Sequence, residues 1–160
     1  MVGTSAAYLL STNPGFEGSE SRLDLSTAPG YQLFFSCFMG DLDLSLNGVG
    51  FRTNFGWIAT LGYAIAFYRT VRELPVNGES TIDFQEDSDW IKLQPIGDLV
   101  RVSCSYSSNE QEVSYQDLLT TSLASLRDLL SSLLVRFPEL RDNDSLGKAM
   151  TEIGLTFPDH

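Results

Sequence analysis

The stretch DWIKLQPIGDLVRVSCSYS, residues 89–107, decides how this chain folds. Ile91 and Leu93 alternate with Trp90, Lys92 and Gln94. Val100, Val102, Cys104 and Tyr106 alternate with Arg101, Ser103 and Ser105. A period of two marks strands with one buried and one wet face. Pro95, Ile96, Gly97 and Asp98 part the two runs as a turn, so they read as an antiparallel hairpin. TIDFQ at 81–85 adds a strand before it, with Ile82 and Phe84 inward, and EVSY at 112–115 extends the sheet after it.

Upstream, YQLFFSCFM at 31–39 is aromatic-rich and reads as a buried strand, followed by a Gly40-Asp41 turn. In LDLSLNGVGF, Leu42, Leu44 and Leu46 occupy one face and Asp41, Asp43 and Ser45 the other. The two segments are expected to pair as a hairpin. Between the hairpins, WIATLGYAIAFYRTVREL at 57–74 places Trp57, Leu61, Ile65 and Tyr68 at helical spacing. Pro75 is expected to stop this helix and Asn77-Gly78 to turn the chain. The small residues Gly62, Ala64 and Ala66 imply a close neighbour.

Residues 116–137 make the clearest helix. Leu119, Leu123, Leu126, Leu130, Leu133 and Phe137 form a stripe, Ser114 with Asp117 caps its start and Pro138 ends it. A short helix over 144–152, capped by Asp144 or Ser145, is expected next. Residues 1–30, rich in Ser, Gly, Thr and Pro without sustained period, read as a flexible extension, and residues 31–160 as one domain. Strands and helices do not alternate strictly. The fold class is therefore α+β: one antiparallel sheet of about five to six strands with two main helices on one face.

The 160 residues carry a formal net charge of −11. Such a chain is repelled by nucleic-acid phosphate and by anionic membranes, so neither is an expected direct partner. The sole histidine is His160, which leaves no Ser-His-Asp or Cys-His pair and no His-based metal site. No phosphate-binding glycine loop and no GxSxG elbow occur. Asp41 and Asp43 form a D-x-D on one strand face, a spacing that fits a shared divalent cation and equally fits any solvated strand. A non-catalytic chain without cofactor or metal is the expectation, and a metal-assisted enzyme on Asp41 and Asp43 the competing one. Cys37 and Cys104 read as buried free thiols, with one bridge between neighbouring strands as the other possibility. The N-terminal stretch has no Lys or Arg and lacks a secretory n-region, so the expected location is the cytoplasm.

Charge is concentrated. Residues 76–115 hold Glu79, Asp83, Glu86, Asp87, Asp89, Asp98, Glu110 and Glu112 against Lys92 and Arg101, a net of −6. Within it, Asp83, Glu86, Asp87 and Asp89 stand beside Trp90, which the strand alternation turns away from the core. Acids around an outward aromatic suit a basic protein partner. The same acids also suit a solvated loop that keeps a sheet edge soluble.

The hairpin GDLDLSL (40–46), the acidic DWIKL (89–93) running into VRVSCSY (100–106), and the Leu-rich helix ending in FPEL (137–140) give a pattern that resembles the small acidic immunity proteins which bacteria pair with secreted toxins. The resemblance spans residues 31–140 and carries over no individual site. It implies an inhibitor that blocks a toxin by direct binding, with an acidic surface suited to a basic, nucleic-acid-handling toxin. A homodimeric structural or regulatory adaptor and a phage-encoded blocker of a host defence protein are the alternatives.

Overall fold

The computed structural model describes residues 3–13, 15, 17–84 and 88–158. It is α+β, but its strands form two antiparallel sheets of four strands each rather than one. The first sheet contains β1 (Ser5–Leu10), β2 (Met39–Leu46), β3 (Val49–Gly50) and β4 (Ile58–Ala59), with β2 pairing all three others. The second is a meander of β5 (Ser80–Asp83), β6 (Trp90–Ile96), β7 (Leu99–Cys104) and β8 (Glu110–Ser114). Helix α1 is Gly30–Phe35, α2 Thr60–Asn77, α3 Tyr115–Arg136 and α4 Asp144–Glu152.

The meander follows the alternation of its sequence. Ile82, Ile91, Leu93, Val100, Val102, Cys104 and Val113 are buried on one face, and the register aligns Ile91 with Ile82 and Cys104. The β6–β7 turn is tighter than the sequence suggests. Pro95 and Ile96 stay in the strand and only Gly97-Asp98 turns, with Gly97 at φ +60°.

Several segments differ from the sequence reading: the helix read from Trp57 starts only at Thr60, because Ile58–Ala59 pairs with β2 as β4. YQLFF is helical rather than extended. The carbonyl of Pro29 accepts from the N–H groups of Gln32 and Leu33, Leu33 is fully buried, and Tyr31 and Phe35 project to solvent. A short apolar run without alternation fits either helix or strand; here Pro29 stands at the N-cap and its carbonyl accepts the first helical bonds. The hairpin over 31–46 therefore does not form. Its place beside β2 is taken by β1, from the stretch read as a flexible extension. Ser5–Leu10 pairs with Gly40–Ser45 along its whole length, and Leu25 and Ala28 are buried. Gly40 is not a turn residue but lies within β2. A Cβ there would overlap the carbonyl oxygen of Leu9, so the close approach of β1 requires glycine.

Helix α2 lies between two cores. Tyr63, Phe67, Val71 and Leu74 join Leu42, Leu44 and Leu46 of β2 and the inner face of the meander. Leu61, Ala64, Ile65 and Tyr68 join the leucine stripe of α3 and Leu146 and Met150 of α4. Cys104 belongs to the first core and Cys37 to the second, both as free thiols. The helix runs through Pro75 to Asn77. A proline in the last turn forfeits one intrahelical bond, and the N–H of Gly78, at φ +72°, closes the end on Leu74.

Helix α3 is long and apolar enough to cross a bilayer by length and composition, yet Leu118, Leu126, Leu130 and Leu133 are packed inside this fold. Ser114 Oγ accepts from the Asp117 N–H at 3.1 Å, as the sequence indicates. The cap of α4 is Asn143 rather than Asp144 or Ser145, accepting from the Leu146 N–H at 2.9 Å. The two sheets are tied by side chains. Tyr106 Oη donates to the Phe51 carbonyl at 2.7 Å, Asn109 Nδ2 to Gly50 at 2.6 Å, and Asn47 Nδ2 to Glu112 at 3.2 Å.

Candidate functional site

The antiparallel register of β5 and β6 places Asp83 directly opposite Trp90. Residues opposed in this way share a sheet face. The next row on that face is Thr81, Lys92, Ser103 and Glu110, and beyond it lie Gln94, Arg101 and Glu112. All are half-buried or exposed, in contrast to the fully buried inner row. Trp90 is half-buried and belongs to neither core.

Of the five sequence-derived candidates, three lie within the described residues. Asp83 is exposed and forms no ion pair among the described residues. Asp89 is half-buried and locally engaged. Ser105 Oγ donates to its Oδ1 at 2.9 Å and accepts from the Trp90 N–H at 2.7 Å, which fixes the start of β6 against the end of β7. Glu86 and Asp87 lie outside the described residues. The two bases of this region are matched to acids, Lys92 to Glu79 at 3.4 Å and Arg101 to Glu110 and Glu112 at 3.2 and 2.9 Å. Such exposed pairs contribute about 0–1 kcal/mol each. Their consequence here is electrostatic, since both positive charges of the face are held beside carboxylates.

Asp41 has a structural task that the D-x-D spacing does not reveal. Its carboxylate accepts from the Thr53 hydroxyl at 2.8 Å and from the N–H groups of Phe55 at 2.7 Å and Gly56 at 3.1 Å. Thr53, fully buried, in turn accepts from the Leu42 N–H. Asp41 thus folds residues 53–56 back onto β2. Among the described residues no group of three or more His, Cys, Asp or Glu is arranged to hold a metal ion.

A cleft of about 590 Å³ opens where α1, α2 and the end of β5 meet. Phe34, Phe35, Trp57, Tyr63 and Phe84 wall it, and among the described residues Asp83 is the one carboxylate that lines it. The walls are braced by other ring contacts. Phe84 stacks on Tyr63 at 4.6 Å and 11°, while Phe55, outside the cleft, stacks on Trp57 at 5.2 Å and 13° and meets Phe84 edge-on at 5.6 Å. Burial pushes the Tyr63 phenol well above its ordinary range, and the negative charge of Asp83 adds to the same direction. The sequence carried one trace of this cleft, the small residues of α2. Gly62 touches the Phe34 carbonyl so closely that a Cβ would overlap it, and Ala66 leaves room beside it.

Comparison with protein-family models, curated proteins and solved structures gives no match.

Proposed function

We propose that this chain is a non-catalytic acidic binding domain of the cytoplasm, an immunity-type inhibitor that neutralises a basic, toxin-like protein by direct contact. The observation that carries the reading is the outer face of the second sheet. Trp90 and Asp83 stand opposite one another at its edge, outside both cores, and the bases of that face are already paired. A half-buried tryptophan with neighbouring carboxylates offers an anchor together with steering charge. Asp89 contributes charge from a fixed position, because Ser105 holds it. Glu86 and Asp87, on the segment joining β5 to β6, add two further acids by sequence.

Steering by exposed charge acts on the association rate and is screened by salt. With the partner captured from the cells that make this chain, the association rate constant should fall about tenfold or more between low and physiological salt, with the dissociation rate much less affected. Replacing Trp90 by Ala should raise the dissociation rate, at a cost of about 2 kcal/mol. An association rate indifferent to salt would argue against a cationic partner.

A further inference from the structure

Independently of any protein partner, the geometry points to the cleft between α1, α2 and the end of β5 as a binding site for a small organic cation, an ammonium ion carrying an aryl or branched-alkyl body. Its volume of about 590 Å³ lies in the range of small-molecule sites and exceeds what one inserted side chain fills. Five aromatic residues wall it, and aromatic faces attract cations through their quadrupoles. Among the described residues no Lys, Arg or His lines it, and Asp83, the one charged residue of that lining, has no ion-pair partner. Asp83 lines the cleft at the end of β5, close enough for its charge to act on Tyr63, so it would take the ammonium group at the cleft edge while the body of the ligand lies against Trp57 and Phe34.

The walls are set before a ligand arrives. Phe55 backs Trp57, and Tyr63 and Phe84 hold one another. Phe35 is 52% exposed at the rim, a large apolar ring left uncovered. A neutral apolar ligand would gain the walls but not the carboxylate, and an anion would be repelled by it. The site therefore selects by charge on a common apolar body.

The test uses the full chain and three probes with the same aryl body: phenethylammonium, phenethyl alcohol and phenylacetate. Amide and indole NMR shifts report binding at Trp57, Gly62 and Ala66. Phenethylammonium should give saturable shifts at those positions in the millimolar range, about tenfold tighter than the alcohol, with no saturation by phenylacetate. Asp83→Asn should bring the cation down to the affinity of the alcohol. Ala66→Leu, which fills the cleft from a half-buried helical position, should remove the shifts. Phe35→Ala, at an exposed site, should weaken them and serves as the check if the leucine variant folds poorly. Equal binding of alcohol and cation, undiminished cation binding by Asp83→Asn, or the absence of saturable shifts would each overturn the proposal. Those results leave the outer-face reading standing, since Trp90 does not line the cleft.

Discussion

Asn143 shows how much one side chain can organise. It is 2% exposed, and its Nδ2 donates to the carbonyls of Leu25 at 2.8 Å and Ala28 at 2.9 Å while its Oδ1 caps α4. It therefore joins the N-terminal loop to the C-terminal helix across the sequence. Replacing it by Ala strands two buried carbonyls as well as an N–H group, and should cost about 3 kcal/mol in urea unfolding. Ser114→Ala removes a cap of the same kind where it is solvated, and should cost about 1 kcal/mol. Equal losses would show that the carbonyls of Leu25 and Ala28 find other donors. Phe38 is a second such point. It sits at φ +59°, its N–H is held by Glu20 Oε1 at 2.9 Å, and its carbonyl by the Thr60 hydroxyl at 2.6 Å. The bonds of Asn143 to Leu25 and Ala28 and those that hold Phe38 are not legible in sequence, because each joins residues that only the finished fold brings together.

At the level of elements, legibility tracks periodicity. The alternation of Leu42, Leu44 and Leu46, the four-strand meander and the leucine stripe of α3 all carry a repeat that local sterics convert directly into structure. Strand β1 and helix α1 carry none. SAAYLL lacks β-branched residues and becomes a strand because β2 offers it a ladder. YQLFF has strand-like composition but is helical behind the Pro29 N-cap, with Leu33 turned into the core. The count of sheets was hidden for a related reason: α2 separates β4 from β5, and whether strands on either side of a helix share a ladder depends on tertiary packing. The contact of α2 with α1 is tight at one point. Gly62→Ala should push Phe34 and α1 outward, lowering stability by about 1–3 kcal/mol. Leu130→Ala, at a position with no exposure, should cost about 2–5 kcal/mol and leave the cleft intact. Both follow from urea midpoints, with the Trp57 indole shift distinguishing them, since only the glycine variant disturbs the cleft walls.

For the molecule as a whole, alkaline pH should weaken the fold. Burial, with the charge of Glu20 adding to it, pushes the Cys37 thiol from 9.0 up to about 11. Burial likewise raises the phenols of Tyr8, Tyr63 and Tyr106 above their ordinary 10.0. Each group is held neutral in the folded state and loses its proton more readily when unfolded, so the folded state binds more protons over this window. Stability from these groups is complete below pH 9 and declines as pH rises from 9 towards 11, with the tyrosines steepening the loss above 10. Urea midpoints measured across that range should fall continuously. A flat profile would mean that these side chains are more hydrated than their burial implies.

The acidic segment was legible as composition, and so was the outward turn of Trp90, because β6 keeps its period of two. The pairing of Asp83 with Trp90 and the tie of Asp89 to Ser105 required the sheet register. The measurement that bears most directly on the proposed binding role reverses the charge of Asp83, Glu86, Asp87 and Asp89 together to Lys and records affinity for the captured basic partner beside the unfolding midpoint. Under the proposed role, affinity should drop by about a hundredfold or more, chiefly through slower association, while the domain stays folded with a loss of about 1–2 kcal/mol from the Asp89–Ser105 bond. Unchanged affinity in a folded variant would contradict it.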